Sequence, residues 1–213
     1  MRRWVEVKVS VIIPAYNEGG RVQRVISAAK RASLPSEIIV VSDGSTDDTA
    51  EVARSEGVRV VELPYNRGKG AAMKAGVSST DAEVYVFIDA DLIGLTPRHV
   101  DSLIRPVVDG EADATLGVFE GGRVTTDFAQ KVTPGLSGQR AVKAEFLKDL
   151  SGIEESGFGV EVMLNKYLER QHAKVKKVEL HGVSQVLKEE KMGGLEGLAA
   201  RLKMYKDIVA QMK

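Results

Sequence analysis

At the centre of the sequence stands Val84-Tyr85-Val86-Phe87-Ile88-Asp89-Ala90-Asp91, an apolar run that ends in two carboxylates. An apolar run of this length, without polar alternation, is typical of a strand that is buried on both faces of a sheet. Because side chains alternate along an extended backbone, Asp89 and Asp91 are expected to point to the same side. Two carboxylates at the carboxyl end of a central strand suit a hard divalent cation that holds a diphosphate. The alternative is that Asp89 caps the next segment and Asp91 is solvated.

The composition is ordinary for a globular protein: 213 residues, of which 43% are apolar and 28% are charged. Lys and Arg together number 30, as do Asp and Glu, so the charge balance does not favour nucleic acid as a partner. Cysteine is absent, which excludes disulfides and thiolate chemistry and fits a reducing compartment. The charged N-terminus and the lack of an apolar run of about 20 residues predict no signal peptide and no transmembrane helix. We therefore expect a cytoplasmic protein, at most attached peripherally to a membrane.

Strands and helices alternate through the first half of the sequence. Ser45 and Asp48 form a candidate capping pair for a helix that ends at Glu56, and Pro106 is expected to end or bend the fourth helix. The apolar patterns predict strands at residues 7–13, 37–41, 58–63, 84–88 and 114–120, and helices at residues 21–32, 68–77 and from 96 onward. Such alternation indicates an α/β fold, with a mostly parallel sheet that carries helices on both faces.

The second half differs, with a loop-rich region at residues 120–138. Helices are predicted at residues 140–150, 157–171 and 196–212, and an edge strand at residues 175–180. We expect one domain over residues 1–213. Its residues 1–115 are predicted to bind a nucleotide, and its residues 116–213 to form a smaller half for the second substrate on the same sheet.

Four polar motifs follow successive predicted strands, where open α/β sheets bind their ligands. Each motif alone is ordinary turn chemistry, but four in register indicate a site. In this arrangement Asp43 can accept from a base N–H, Glu18 from ribose hydroxyls, and Lys69 can lie near a phosphate or a base carbonyl. The glycines match neither the dinucleotide-binding fingerprint nor the P-loop. The motifs are Pro14-Ala15-Tyr16-Asn17-Glu18, Ser42-Asp43-Gly44-Ser45-Thr46-Asp47, Pro64-Tyr65-Asn66-Arg67-Gly68-Lys69-Gly70 and Asp89-Ala90-Asp91.

Together these motifs resemble the donor half of family 2-type glycosyltransferases with the GT-A fold, a Rossmann-like α/β architecture. The resemblance implies a nucleoside-diphosphate-sugar donor, usually a uridine one, and Mg²⁺ or Mn²⁺ as cofactor. It implies Asp43 on the uracil, Glu18 on the ribose and Asp91 on the metal. The donor-binding set that it implies is Pro14, Ala15, Tyr16, Glu18, Ser42, Asp43, Lys69, Asp89, Ala90 and Asp91. The Gln-x-x-Arg-Trp motif of processive polysaccharide synthases is absent from the sequence.

Later segments resemble glucosyl-3-phosphoglycerate synthases. These segments are Leu136-Ser137-Gly138-Gln139-Arg140, Gly157-Phe158-Gly159-Val160-Glu161 and His181. The resemblance implies that Ser137, Gly138, Gln139 and Arg140 line the sugar and acceptor, and that His181 completes the metal site. Gln139 stands where those enzymes have an acidic residue, and the chain is shorter, so the acceptor stays open between a small phosphorylated acid, a lipid phosphate and a glycan. The other interpretation of His181 is a hydrogen-bonded surface histidine; His99 and His172 are read as surface residues.

Glu161 is a second candidate catalytic residue, in addition to Asp91. An inverting transfer needs a carboxylate near the acceptor hydroxyl, and the glycines before Glu161 would let a ligand approach it. The alternative is an ordinary glutamate in the first turn of a helix, stabilised by the helix dipole. If the reaction retains configuration, Glu161 positions the donor or the acceptor and no base is required.

The predicted function is a metal-dependent transfer of a sugar from a nucleoside diphosphate, most simply a UDP-sugar, to an acceptor. Two alternatives are a sugar nucleotidyltransferase and a non-catalytic protein that binds nucleotide sugars. Residues 188–213 carry six basic and four acidic residues and an apolar helical face. That face is expected to pack on the sheet or on a second subunit; the other possibility is weak contact with an anionic membrane.

Overall fold

The computed structural model describes residues 7–120, 137–147 and 159–185. The strands in chain order are β1 (Val9–Ala15), β2 (Glu37–Asp43), β3 (Arg59–Leu63), β4 (Val84–Phe87), β5 (Leu92–Ile93), β6 (Ala114–Glu120), β7 (Arg140–Lys143), β8 (Val175–His181) and β9 (Ser184–Gln185). The helices are α1 (Gly19–Lys30), α2 (Thr49–Ser55), α3 (Lys69–Ser78), α4 (Pro97–Val108) and α5 (Val160–Arg170), with a 3₁₀ turn at Ala144–Leu147.

Seven strands form one sheet in the order β3-β2-β1-β4-β7-β6-β8, while β5 and β9 form a separate two-stranded ribbon. The first four strands of that order run parallel, and β6 runs parallel to β8. Strand β7 runs antiparallel to both of its neighbours, β4 and β6. The predicted α/β fold with a mostly parallel sheet is therefore confirmed, and β8 lies at the predicted sheet edge.

Helices cover both faces of this sheet, as the sequence predicts. On one face, apolar residues of α1 and α4, such as Val25 and Leu103, are fully buried against β1 and β4. On the other face, α3 and α5 contribute Met73 and Leu164 to a second core cluster. Gly76 lets α3 lie close to the sheet, because a Cβ at this position would come within 2.5 Å of Ile12 Cγ2. Burial on both faces explains the unbroken apolar runs of β1 and β4.

The predicted helix at residues 140–150 is wrong over residues 140–143, and the structure has only a 3₁₀ turn at Ala144–Leu147. Residues 140–143 form β7, in which Ala141 pairs with Val86 and Val142 pairs with Tyr85. Their side chains alternate between the two core clusters, which only a strand allows. Sheet pairing therefore overrides the local helical pattern. The predicted helix at residues 196–212 lies outside the described residues.

Three local predictions about the first half also need correction. Helix α2 begins at Thr49 with Asp48 as its N-cap and without a side-chain cap bond, so Ser45 is not its cap. Strand β1 extends beyond the predicted end at residue 13, because Pro14 pairs in register with Val41 and the strand ends at Ala15. Helix α4 continues past Pro106 to Val108, so it does not end at this proline, and a bend there stays a prediction.

Candidate active site

The loops after β1 and β2 are joined by hydrogen bonds between backbone N–H groups and side-chain oxygens. Asn17 has a positive φ of 54°, a conformation that asparagine tolerates better than most residues. Its backbone N–H donates to Ser45 Oγ at 3.1 Å, and its side-chain oxygen accepts from the Thr46 N–H at 2.9 Å. The Glu18 N–H donates to Thr49 Oγ1 at 2.8 Å. The first two sequence motifs therefore form one surface at the carboxyl ends of the strands.

The predicted donor residues differ in how far their side chains are exposed at this surface. Tyr16 is 46% exposed, whereas Glu18 is buried and accepts from Arg21 Nη1 at 3.1 Å. Ser42 and Asp43 are buried at the end of β2. Ala15 and Ala90 are also buried, and Pro14 is half-buried. Of this set, Tyr16 has an aromatic ring open to a ligand.

Asp43 connects the loop after β2 to the loop after β3. Its two carboxylate oxygens accept from the backbone N–H groups of Arg67 and Gly68, both at 2.8 Å. Gly44, with a φ of 65°, packs so closely on this loop that a Cβ would lie 2.3 Å from the Tyr65 carbonyl carbon. A carboxylate has about four acceptor positions, so Asp43 keeps capacity for a base N–H while it braces the loop that leads to Lys69.

Lys69 lies between two carboxylates at the start of α3. Its Nζ is 2.5 Å from Asp89 Oδ1 and 2.7 Å from Glu161 Oε1. Burial by itself would lower the pKa of Lys69, but the charges of Asp89 and Glu161 outweigh burial and raise that pKa above its ordinary value. The ammonium is therefore charged, and it joins the donor motifs to the predicted catalytic glutamate.

The second oxygen of Asp89 is engaged by a residue that the sequence did not single out. Gln185 Nε2 donates to Asp89 Oδ2 at 2.5 Å. Asp89 is thus held by an ammonium on one oxygen and an amide on the other. Gln185 carries no motif, and its approach to Asp89 depends on the pairing of β9 with β5, in which Gln185 lies opposite Leu92. No local sequence signal predicts that pairing.

The predicted substrate loop reaches the same ion pair through Gly138. A Cβ on this residue would lie 2.4 Å from Lys69 Nζ and 2.7 Å from both carboxylate oxygens of Asp89. The loop is ordered by Ser137 Oγ, which donates to Gln139 Oε1 at 2.9 Å. The structure therefore brings Ser137 to Gln139, from the second half of the chain, against the donor motifs of the first half.

Arg140 connects this loop to α5. It is 1% exposed; its Nη2 donates to the Ser137 carbonyl at 2.5 Å and its Nη1 to Asn165 Oδ1 of α5 at 2.9 Å. Burial lowers the pKa of Arg140, and the charges of Glu161 and Asp89 oppose that shift. Its side chain therefore ties the loop to the helix that carries Glu161. Within the described residues, Arg140 Nε and Gln139 Nε2 are buried without a hydrogen-bond partner.

His181 lies at the exposed end of β8. Its side chain is 68% exposed, with Nδ1 3.5 Å from Glu120 Oε2 and Nε2 3.5 Å from Glu179 Oε2. The turn after His181 packs on the segment after Asp91, because a Cβ on Gly94 would lie 2.3 Å from the Gly182 carbonyl oxygen. Pairing of Asp91 with His181 on one metal stays a prediction.

His99 is not the plain surface residue that the sequence suggested. It is half-buried and forms a capping box with Thr96 at the start of α4, in which its Nδ1 accepts from the Thr96 N–H at 3.2 Å. Burial lowers the pKa of His99, and the charge of His181 lowers it further.

The donor types at this edge of the sheet fit a divalent cation. Asp89 is engaged with Lys69 and Gln185, and the assignment of Asp91 to the metal stays a prediction. Carboxylate oxygens and a neutral imidazole are ligands that Mg²⁺ and Mn²⁺ accept. The residues present are therefore compatible with the cofactor that the sequence predicts.

Comparison with known proteins assigns the family. Residues 10–167 match the model for Glycosyl transferase family 2. The chain belongs to glycosyl transferase family 2. Among curated proteins it is 34% identical to glucosyl-3-phosphoglycerate synthase from Mycobacterium tuberculosis, over 73% of this chain and 59% of that protein. It is also 37% identical to 4,4'-diaponeurosporenoate glycosyltransferase from Staphylococcus aureus, over 46% of this chain and 27% of that protein. The chain thus spans about three fifths of the length of the synthase.

Solved structures of the Mycobacterium tuberculosis synthase share the fold. The complex with Mn²⁺, UDP and glucosyl-3-phosphoglycerate has a TM-score of 0.69 and 28% identity, and covers 93% of this chain and 80% of the other. The complex with Mg²⁺ and UDP has a TM-score of 0.69 and 27% identity, over 94% of this chain and 84% of the other. The predicted GT-A fold and family are confirmed. Within the part of the chain that the structure describes, no helix has both the length and the apolarity to cross a bilayer.

Proposed function

We propose that this chain transfers a glucosyl group from UDP-glucose to the hydroxyl of a small phosphorylated acceptor such as 3-phosphoglycerate, with Mn²⁺ or Mg²⁺ as cofactor. The observation that carries the proposal is the contact of Lys69 with both Asp89 and Glu161. At this point the donor motifs meet Glu161 and Gly138, which belong to the two segments that resemble the synthases. The donor and the acceptor class are those of relatives at 27–34% identity.

The donor nucleotide is assigned to the surface after β1, β2 and β3. Tyr16 offers an exposed ring for the base, and Asp43 offers the remaining acceptor positions of its carboxylate to a base N–H. Glu18 is buried and accepts from Arg21, and its carboxylate is assigned to the ribose hydroxyls. These assignments follow from residue type and placement.

The diphosphate is assigned to the region of Asp91. Asp91 and His181 would hold a divalent cation there, which would offset the negative charge of the departing diphosphate. The Lys69 ammonium adds a fixed positive charge beside Asp89. Its bridging position also keeps it from rotating into solvent. His181 remains the proposed second protein ligand of the metal.

Glu161 is proposed to orient a hydroxyl of the sugar or the acceptor. One of its oxygens accepts from Lys69 Nζ, so the other is the one directed to a substrate hydroxyl. Gly138 lies beside the same ion pair and presents backbone without a side chain. A substrate can therefore approach Lys69, Asp89 and Glu161 closely, which favours a defined geometry of attack.

A screen for UDP release tests the proposal. Purified protein is incubated with UDP-glucose and Mn²⁺, alone and with 3-phosphoglycerate, glycerol 3-phosphate, a polyprenyl phosphate or an oligosaccharide. We expect release to be stimulated by the small phosphorylated acceptors and to stop on chelation of the metal. Stimulation by the polyprenyl phosphate or the oligosaccharide alone would point to that acceptor class instead. In a separate incubation with a nucleoside triphosphate and a sugar phosphate, release of diphosphate would indicate a nucleotidyltransferase. Donor binding without turnover on any acceptor would indicate a non-catalytic nucleotide-sugar-binding protein.

A further inference from the structure

Gln185 contacts the site from an element that the family motifs do not include. It lies on β9, and its amide reaches Asp89, which stands 96 residues earlier in the chain. The backbone around it is fixed, since Val183, Ser184 and the paired residue Leu92 are all buried. The side chain therefore starts from a defined position.

The contact restrains the carboxylate of Asp89. Gln185 Nε2 contacts Oδ2 and Lys69 Nζ contacts Oδ1. The Asp89 carboxylate therefore cannot rotate to swap its two oxygens without breaking both contacts. Hydrogen bonds to an ionised acceptor are stronger than neutral ones. Because Lys69 also binds Glu161, a chain of contacts runs from β9 through Asp89 and Lys69 to α5.

We propose that Gln185 is a positioning residue of the transfer reaction, which fixes Asp89 and, through Asp89, the Lys69–Glu161 ion pair. This inference rests on the proposed transferase function. Gln185 need not touch the substrate; its amide sets the direction of a carboxylate that other groups use. The role requires a donor at this position, not merely a side chain of suitable volume.

Two substitutions separate donation from packing. Gln185→Glu keeps the shape of the side chain but replaces the donor with a like charge against Asp89, whereas Gln185→Met keeps the length and removes the donor. We expect kcat for UDP-glucose turnover to fall about tenfold in Gln185→Met and about a hundredfold in Gln185→Glu, the scale of a reactive group displaced by about 1 Å. The affinity for Mn²⁺–UDP, measured by calorimetry, is expected to stay within about twofold in Gln185→Met.

A matched control exists on the surface. Gln23 Nε2 donates to Glu56 Oε1 at 2.7 Å, so Gln23→Glu and Gln23→Met make the same chemical changes beside another carboxylate. Both control variants are expected to keep the wild-type kcat. The positioning role is overturned if Gln185→Glu retains the wild-type kcat. It is also overturned if either Gln185 variant raises only the KM for the donor and leaves kcat unchanged.

A second measurement needs no turnover. Gln185→Met is made in the wild-type chain and in an Asp89→Ala background, and the thermal midpoint of each protein is measured. If the amide acts on Asp89, Gln185→Met lowers the midpoint by about 3 °C in the wild-type chain and by less than about 1 °C in the Asp89→Ala background. Equal shifts in both backgrounds overturn the proposal whatever the acceptor is. Failure of the proposed function shows separately, as wild-type protein that releases no UDP with any acceptor.

Discussion

Lys69 Nζ lies 2.7 Å from Glu161 Oε1, a carboxylate that stands 92 residues later in the chain. The contact joins the start of α3, in the predicted donor half, to the start of α5, in the predicted acceptor half. Asp89 completes the arrangement at 2.5 Å on the same ammonium. Lys69 therefore joins the two halves of the sequence at the candidate site, and the proposed chemistry depends on it.

The first prediction concerns this lysine. Lys69→Met removes the cation and leaves Asp89 and Glu161 as two carboxylates without their shared partner. Because like charges repel and the hydroxyl-binding oxygen of Glu161 loses its support, we expect UDP-glucose turnover to fall at least about a hundredfold. Lys176→Met is the control, since Lys176 pairs with Glu111 on the exposed edge strand. Turnover of Lys69→Met within threefold of wild type would remove Lys69 from the site.

Gly138 supplies a test of the close approach between the two halves. In Gly138→Ala the added methyl would lie 2.4 Å from Lys69 Nζ, so either the loop or the ion pair must shift. We expect at least a tenfold loss of turnover with little change in the thermal midpoint. The control is Gly20→Ala, because a Cβ on Gly20 has open space around it. Equal activity of the two variants would contradict the geometry described for the loop.

Asp91 is predicted to serve the metal. We expect Asp91→Ala to abolish transfer and the Mn²⁺-dependent gain in UDP binding while the protein stays folded, because the residue follows the core strand rather than filling the core. His181→Ala should weaken the metal response less, since water and the diphosphate can take coordination positions. Calorimetry of UDP with and without Mn²⁺ measures both effects. Near-normal, Mn²⁺-stimulated turnover in Asp91→Ala would disprove the assignment.

Base recognition is predicted from Asp43. A carboxylate that accepts the imide N–H of uracil would face an unprotonated nitrogen in cytosine, a mismatch that costs about 1–3 kcal/mol. UDP is therefore expected to bind at least about tenfold more tightly than CDP. Asp43 also holds the backbone of Arg67 and Gly68, so competition between nucleotides on the wild-type protein is a cleaner test than substitution. Equal affinities for the two nucleotides would exclude Asp43 from the base pocket.

Stability at acid pH is predicted to depend on Asp113. The hydrogen bond from Lys143 Nζ at 2.6 Å, together with the Lys174 backbone N–H at 2.9 Å, holds the pKa of Asp113 below its ordinary value of 3.8. A depressed folded-state pKa gives stability that is fully present above the unfolded-state value and is lost as the pH falls through the folded-state value. The free energies of unfolding of wild type and Asp113→Asn, measured with urea, should differ at pH 6 and converge towards pH 3. A difference that stays constant with pH would contradict this assignment.

Much of the fold follows from local sequence patterns. The apolar run before Asp89 and Asp91, and the alternation of strands and helices through residue 120, predict the parallel part of the sheet because doubly buried strands need unbroken apolar runs. The motifs at the strand ends predict the ligand edge for the same topological reason. Pairing decides the parts that the sequence misses. Strand β7 has a helix-like pattern, and only its two neighbours in the sheet make it a strand.

The candidate site could likewise be predicted only in part from local sequence patterns. Lys69 and Glu161 were singled out separately, from a glycine-rich turn and from a helix start, but no spacing rule predicts that they share an ion pair. Gln185 carries no signal at all, since a single amide after a histidine turn is common. Its role depends on the short pairing of β9 with β5 and on the length of one side chain.

The most direct test of the central claim is the product formed from UDP-glucose, 3-phosphoglycerate and Mn²⁺, identified by mass spectrometry and quantified against the UDP released. The account predicts a glucosylated phosphoglycerate in equal amount to UDP, absent without metal and reduced at least about a hundredfold in Lys69→Met. UDP-glucose that binds in a Mn²⁺-dependent way but yields neither this product nor another glucosylated small phosphate would contradict it.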